Sequence, residues 1–150
     1  MNESTILLVD DSENDLFMLR RAFKKAEFNA PLQEARNGEI AIAYLAGAGI
    51  YRDRNEYPMP GLVLLDLNMP MKNGFDVLEW LRTQPTLKSL PIIVMTASLR
   101  PEDVDRTFAL GANAYLVKPP NWESLTAMVR SIRDWTKINH FPPGNRMADR

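Results

Sequence analysis

The stretch Leu62-Val63-Leu64-Leu65-Asp66-Leu67-Asn68-Met69-Pro70 decides the fold. Its first four residues are apolar without alternation, the pattern of a short strand buried on both faces, as in a parallel sheet. The run stops at a carboxylate, Asp66. Ile6-Leu7-Leu8-Val9 and Ile92-Ile93-Val94-Met95 repeat the pattern, and Ala114-Tyr115-Leu116-Val117 adds a fifth run. Residues 31–35 are weaker: Leu32, Gln33, Glu34 and Ala35 suit an edge or near-edge strand.

Helical patterns lie between these runs. Leu16, Leu19, Phe23 and Ala26 recur at three- and four-residue steps. Around them, Arg20, Arg21, Lys24 and Lys25 read as a solvated face. Residues 37–48 predict a second helix with Ile40, Tyr44 and Leu45 inward, and residues 74–82 a third carrying Phe75, Leu78 and Leu81. Pro101 opens a fourth, where its missing N–H does no harm, with Val104 and Phe108 inward. Asn121 caps a fifth, whose buried stripe is Leu125, Met128, Val129 and Ile132. Trp80, Trp122 and Trp135 read as helix packing residues. Strand and helix alternate five times, which gives an α/β fold with a parallel sheet and right-handed crossovers. Residues 47–61 stand apart as a polar, aromatic-containing insertion. Residues 141–150, with Pro142-Pro143-Gly144, read as a tail of little fixed structure. The expected division is a domain over 4–138 and a tail over 139–150.

The totals exclude several classes of function. A chain of 150 residues is expected to be one domain with a sizeable core. It has no cysteine, which removes disulfides, thiolate catalysis and cysteine-ligated zinc. The one histidine, His140, lies among Pro and Gly near the C-terminus, so histidine catalysis is not expected. A net charge of −1 argues against a nucleic-acid binder. No signal sequence and no membrane-spanning run is evident, so the cytoplasm is the default.

What ends each strand is more informative. The first runs into Asp10-Asp11, the third into Asp66, the fourth into Thr96 and the fifth into Lys118. In an open α/β sheet the ligand crevice lies beyond the carboxyl ends of the strands. Taken singly, Asp11 is a turn former or helix cap, and Lys118 a solvated loop lysine. Taken together, three carboxylates, a hydroxyl and a lysine at one sheet edge are poorly explained by independent turns. Clustered carboxylates resist simultaneous ionisation, and a hard divalent cation such as Mg²⁺ removes that conflict. Lys118 adds a second positive charge and Thr96 a donor, a set suited to a phosphoryl group passing onto a carboxylate.

At this point the chain resembles the receiver domain of two-component response regulators. The matching residues are Leu7-Leu8-Val9-Asp10-Asp11-Ser12, Asp66-Leu67-Asn68-Met69-Pro70 with Gly74, Met95-Thr96-Ala97, and Tyr115-Leu116-Val117-Lys118-Pro119. The resemblance implies a flavodoxin-like, doubly wound five-stranded sheet of order 2-1-3-4-5. It implies Asp66 as phosphoacceptor, with Asp11 on Mg²⁺ directly, Asp10 mainly through water, and Asn68 through its backbone carbonyl. Thr96 and Lys118 would contact the phosphoryl oxygens, and Tyr115 would be the switch aromatic. Lys118-Pro119 resembles the family's cis peptide, although Pro120 departs from the commonest pattern. A sensor histidine kinase is the implied donor. The insertion, the Leu65 to Pro70 wording and Asp134-Trp135 resemble stand-alone regulators paired with bacterial phytochrome-type kinases. The implied function is a single-domain regulator, not an enzyme, with an intermediate carrier in a phosphorelay as the alternative.

Rival readings fare worse. An aspartate-nucleophile phosphatase needs a general acid two residues after its nucleophile, where this chain has Asn68. A DNA-binding regulator needs an effector domain, for which the residues after Ile138 are too few. A pseudoreceiver is disfavoured by the full acidic set. Output through a surface predicts a homodimer on the fourth helix, fifth strand and fifth helix. There Trp135, Ile138 and Phe141 extend apolar character past what one sheet covers.

Overall fold

The structure, a computed structural model, describes residues 4–139. Five parallel strands, β1 (Ile6–Val9), β2 (Leu32–Ala35), β3 (Leu62–Leu65), β4 (Ile92–Thr96) and β5 (Ala114–Val117), form one sheet in the order β2-β1-β3-β4-β5. The connecting helices are α1 (Glu13–Lys25), α2 (Gly38–Ala46), α3 (Gly74–Arg82) and α4 (Pro101–Ala109), and α5 (Trp122–Ile138) follows β5. The expected fold is the observed one. Although the strands read as unbroken apolar runs, successive side chains go to opposite faces. Leu7, Val9, Val63, Leu65 and Val94 meet Tyr44 and Leu45 of α2 and Phe75, Leu78 and Leu81 of α3. Ile6, Leu8, Leu62, Leu64, Ile93 and Met95 meet Leu16, Leu19 and Phe23 of α1 and Val129 and Ile132 of α5. In α5, Leu125 and Met128 are half-buried, as are Trp80, Trp122 and Trp135, all packed against these layers.

Side-chain caps start the helices near the strand ends. Ser12, Asn37, Asn73 and Asn121 each accept a bond from a backbone N–H of the first turn, and Asn73 with Asp76 completes a capping box. Gly74 is required by close approach: a Cβ there would sit 2.5 Å from the Asp66 carbonyl oxygen. Gly38 is constrained likewise, its Cβ position lying 2.2 Å from the Lys72 carbonyl oxygen. Both contacts pin the loop that carries the residues after Asp66.

Several expectations need correction. α2 ends at Ala46, with Gly47 in the left-handed conformation (φ 68°), two residues before the predicted end, although Ile40 packs inward as expected, half-buried against the core. The polar, aromatic-containing insertion, whose structure the sequence left open, is ordered by its rings. Tyr44, Tyr51 and Tyr57 form a ring cluster with centroids 4.9 to 6.0 Å apart. Arg54 donates to the Tyr44, Leu45 and Tyr57 carbonyls at 2.9 to 3.1 Å, covering the end of α2. Burial pushes the Tyr44 phenol up to about 12, and its hydroxyl donates to Pro58 O at 2.8 Å. No cis peptide occurs among the described residues, so the Lys118-Pro119 bond is trans. With that bond trans, Lys118 N still continues the ladder to Thr96 O at 2.8 Å. Phe141 and residues 141–150 of the expected tail lie outside the described residues.

The inward face of α4 also differs. Val104 is half-buried and Phe108 is 49% exposed, whereas Thr107 between them is fully buried. The Val104 and Phe108 pair marked an apolar stripe, but Arg106 lies over the Phe75 ring at 4.1 Å and pairs with Glu79 at 2.8 Å. These contacts turn the adjacent position, Thr107, toward the core. Its Oγ1 finds no hydrogen-bond partner. An unsatisfied buried hydroxyl costs about 1 to 3 kcal/mol. Thr107→Val keeps the shape and removes the hydroxyl, so urea unfolding is expected to show a gain of about 1 kcal/mol. A lowered midpoint would mean that the hydroxyl is satisfied.

Candidate functional site

Parallel register brings four strand ends to one edge. Val9 pairs with Leu65, Leu65 with Val94, and Thr96 with Val117. The residues that follow extend these ladders: Asp10 N donates to Ala35 O at 3.1 Å, and Asp66 N to Val9 O at 2.9 Å. Asp10 and Asp66 therefore sit on rigid backbone and are buried, at 3% and 6% exposure. Asp11, one step further, is exposed.

Oxygen atoms of Asp10, Asp11 and Asp66 lie within 4.8 Å of one another. Lys118 reaches across from the end of β5. Its Nζ lies 2.8 Å from Asp10 Oδ2, 3.3 Å from Asp66 Oδ2 and 2.7 Å from Asp15 Oδ2. Burial pushes the Asp10 carboxyl up, against the pull of its Lys118 and Ser12 hydrogen bonds. Burial alone would lower the Lys118 ammonium, but the bonds to Asp10 and Asp15 and the charge of Asp66 outweigh it and hold the group firmly protonated.

The remaining predicted residues line the same crevice. Asp66 Oδ1 accepts from Asn68 N at 3.3 Å, and Asn68 Nδ2 lies 3.5 Å from Thr96 Oγ1. Thr96 is fully buried, and its Oγ1 also accepts from Ser98 N at 3.5 Å. Tyr115 is half-buried and donates its hydroxyl to Ser98 O at 3.1 Å. Thr96 and Tyr115 thus hold one loop, the one between β4 and α4. Asp11 and Asn68 open into a cavity of about 680 Å³ that Arg100 and Arg106 also line.

All seven predicted residues converge on this edge, Tyr115 through the β4–α4 loop. Asp15 escaped the sequence reading, because an acid in a first helical turn is ordinarily explained by the helix dipole. Its position four residues after Asp11, one turn along a helix that starts at the site, was the available signal. An all-oxygen carboxylate set open to solvent suits a hard divalent ion that keeps several waters. The buried Asp10 and Asp66 supply charge that such an ion compensates.

The chain matches the family described as response regulator receiver domain over residues 6–130. It is 37% identical over 138 residues to response regulator Rcp1 of Synechocystis sp., covering 91% of this chain and 92% of Rcp1. The crystal structure of the Mn(2+)-bound form of Rcp1 superposes with a TM-score of 0.82 at 36% identity, covering 93% of this chain and 99% of that one. The phosphorylated cyanobacterial phytochrome response regulator RcpA gives 0.86 at 30% identity, with 93% and 99% covered. RPA3017, a response regulator in red light signalling of R. palustris, gives 0.88 at 32% identity, with 93% and 98% covered.

The raised Asp10 carboxyl has a consequence for the metal-free protein. Its folded-state pKa lies above the ordinary 3.8, so the folded form binds more protons in the window between the two values. Stability contributed by Asp10 therefore falls as pH rises through that window, and divalent metal opposes the loss. Urea midpoints of wild type and Asp10→Asn, compared from about pH 4 to 6 without metal, isolate the group. Wild type is expected to lose ground to the variant as pH rises; parallel curves would contradict the burial argument.

Proposed function

The chain belongs to the response regulator receiver family, and from that membership we propose that Asp66 accepts a phosphoryl group from a histidine kinase. The observation that carries the reading is the burial of Asp66 beside one lysine and two further carboxylates at a sheet edge. A carboxylate oxygen of Asp66 attacks phosphorus in line. The P–O bond to Asp66 forms as the P–N bond to the donor imidazole breaks, and the electron pair leaves on that nitrogen. Lys118 and Thr96 donate to the phosphoryl oxygens as their charge redistributes. A bound Mg²⁺ would be held by Asp10 (mainly through water), Asp11, Asp66 and the Asn68 carbonyl, and supplies charge neutralisation at those oxygens.

The same contacts offer a way out of the site. Thr96 engaged by the phosphoryl group pulls on the loop that Tyr115 holds through Ser98. The loop leads into α4, whose buried face centres on an unsatisfied hydroxyl. A shift of this loop biases Tyr115 and α4 together. The output is therefore a changed surface. Asn68 in place of a second acid favours a receiver over a phosphatase. No helix among the described residues is long and apolar enough to cross a membrane, which is consistent with action in the cytoplasm. A phytochrome-type kinase is the expected donor, supported by the likeness to RcpA and RPA3017.

The surface we expect to respond is formed by α4, β5 and α5, paired with a second copy. β5 is a sheet edge with Val117 38% exposed, and Phe108 and Ile138 are exposed nearby in sequence on α4 and α5. A groove of about 460 Å³ runs between β5 and α5, lined by Ala114, Leu116, Met128 and Trp135. A two-fold contact would cover it on both copies.

Two outcomes are expected. Asp66→Asn keeps the side-chain shape and removes the nucleophile, so intact mass after incubation with Mg²⁺ and a phosphodonor should show no added phosphoryl group. Stoichiometric, Mg²⁺-dependent labelling of that variant would sink the assignment. Sedimentation of the wild type should show a dimer strengthened by a phosphoryl mimic, and Trp135→Ala should weaken it at least tenfold, about 1.4 kcal/mol. A monomer at high micromolar concentration in both states would reject the dimer.

A further inference from the structure

Lys118 carries three N–H donors, the full number an ammonium has, and each is directed at a different carboxylate. Asp10 comes from the end of β1, Asp66 from the end of β3 and Asp15 from the first turn of α1. The bonds are unequal. Those to Asp15 and Asp10 are 2.7 and 2.8 Å, and the one to Asp66 is 3.3 Å. The two short bonds go to groups that phosphorylation leaves unmodified, and the long one to the group that it changes. We propose that Asp15 is a positioning residue for phosphoryl transfer, which with Asp10 clamps the Lys118 ammonium so that its third N–H faces the reacting carboxylate. This rests on the reading of Asp66 as phosphoacceptor.

The lysine stem explains the need for a clamp. A flexible four-carbon chain carries the ammonium, and one anchor leaves it free to swing. Asp10 holds it from the sheet side. On the other side lies a cleft of about 200 Å³, lined by Met18, Leu19, Pro119, Trp122 and Leu125. Asp15 and Lys118 line that cleft together, so the bond to Asp15 holds the ammonium on this side. Asp15 is itself well placed to act as an anchor. It belongs to a regular helix, its backbone N–H donates to Ser12 Oγ at 3.2 Å, and the helix N-terminus favours its negative charge.

The clamp is also matched to the change at Asp66. Phosphorylation removes the carboxylate charge of Asp66 and places more negative charge on the phosphoryl oxygens. The weakly held third donor then transfers to one of those oxygens while the two short bonds stay. No reorganisation of the lysine is required at the moment of transfer, which is where preorganised donors contribute most. An ordinary surface ion pair would do none of this and would contribute about 0 to 1 kcal/mol to stability. Here the lysine side chain is only 20% exposed and that of Asp10 4%, while that of Asp15 is 38% exposed, so its role lies in positioning the ammonium rather than in stability.

The test uses phosphoramidate as donor, titrating donor at saturating Mg²⁺ and Mg²⁺ at saturating donor, with phosphorylation followed by intact mass. Asp15→Ala is expected to lower the maximal rate about tenfold while leaving the half-saturating phosphoramidate and Mg²⁺ concentrations unchanged. Asp15→Asn, which retains an acceptor oxygen, should fall between wild type and Asp15→Ala, and serves if the alanine variant folds poorly. In a Lys118→Ala background, removing Asp15 should cost nothing further. An equal loss in both backgrounds would assign Asp15 to folding. A parallel loss of Mg²⁺ affinity would move it to the metal site, and a faster reaction would make it a competitor for Lys118. Each of these overturns the proposal. Asp66→Asn run alongside separates the two levels. Labelling that persists there rejects the phosphoacceptor, whereas labelling lost there with an unaltered rate in Asp15→Ala rejects the clamp alone.

Discussion

Negative charge collected at one sheet edge is the constraint on which the rest of this molecule turns. Asp10 and Asp66 are buried and face each other across adjacent strands, with Asp11 beside them. Such a cluster persists because the backbone beneath it is held by strands buried on both faces and joined in parallel register. One ammonium group, that of Lys118, balances part of the charge by bonding to Asp10, Asp15 and Asp66. The balance is incomplete, and the residual charge makes the site receptive to a divalent cation and, with it, to a phosphoryl group.

Rigidity is not spread evenly around this site. The loop after Asp66 is pinned where the backbone approaches the Gly74 and Gly38 positions too closely for any side chain. The loop after Thr96 is held by hydrogen bonds from Tyr115 and to Thr96 Oγ1. It leads into a helix whose fully buried residue is a threonine without a hydroxyl partner. Acceptance of a phosphoryl group needs the first kind of loop, and a response needs the second. The stiff and the yielding connections therefore leave the same sheet edge by neighbouring strands.

The opposite end of the sheet is built differently. There the insertion over residues 47–61 folds back on α2 through three tyrosine rings, and Arg54 satisfies carbonyls at the helix end. Aromatic packing and a planar guanidinium turn a segment of polar composition into a fixed part of the α2 face. Across the sheet, Arg133 donates to Ala26 O and joins α5 to the end of α1. These contacts stiffen the frame without reaching the carboxylates.

How much of this was legible in the chain follows from the kind of order each part uses. Unbroken apolar runs announced the strands, because a strand buried on both faces tolerates nothing else. Parallel strands share one direction, so the residues ending them, Asp10, Asp11, Asp66, Thr96 and Lys118, had to gather at one edge. Sequence alone thus determined the fold class and the chemistry of the crevice, while the strand order followed from family resemblance. Tertiary structure decided what depends on rotation and reach. Asp15 became a partner of Lys118 only when α1 docked against α5, across a separation of 103 residues. Thr107 displaced Phe108 from the buried face of α4 because Arg106 is held on Phe75 and Glu79. The insertion gained its order from rings contributed by two segments, and Lys118-Pro119 is trans where the family motif implied cis. Periodicity records which face of an element is apolar, whereas the angle at which that face meets its neighbours is set by the packed whole.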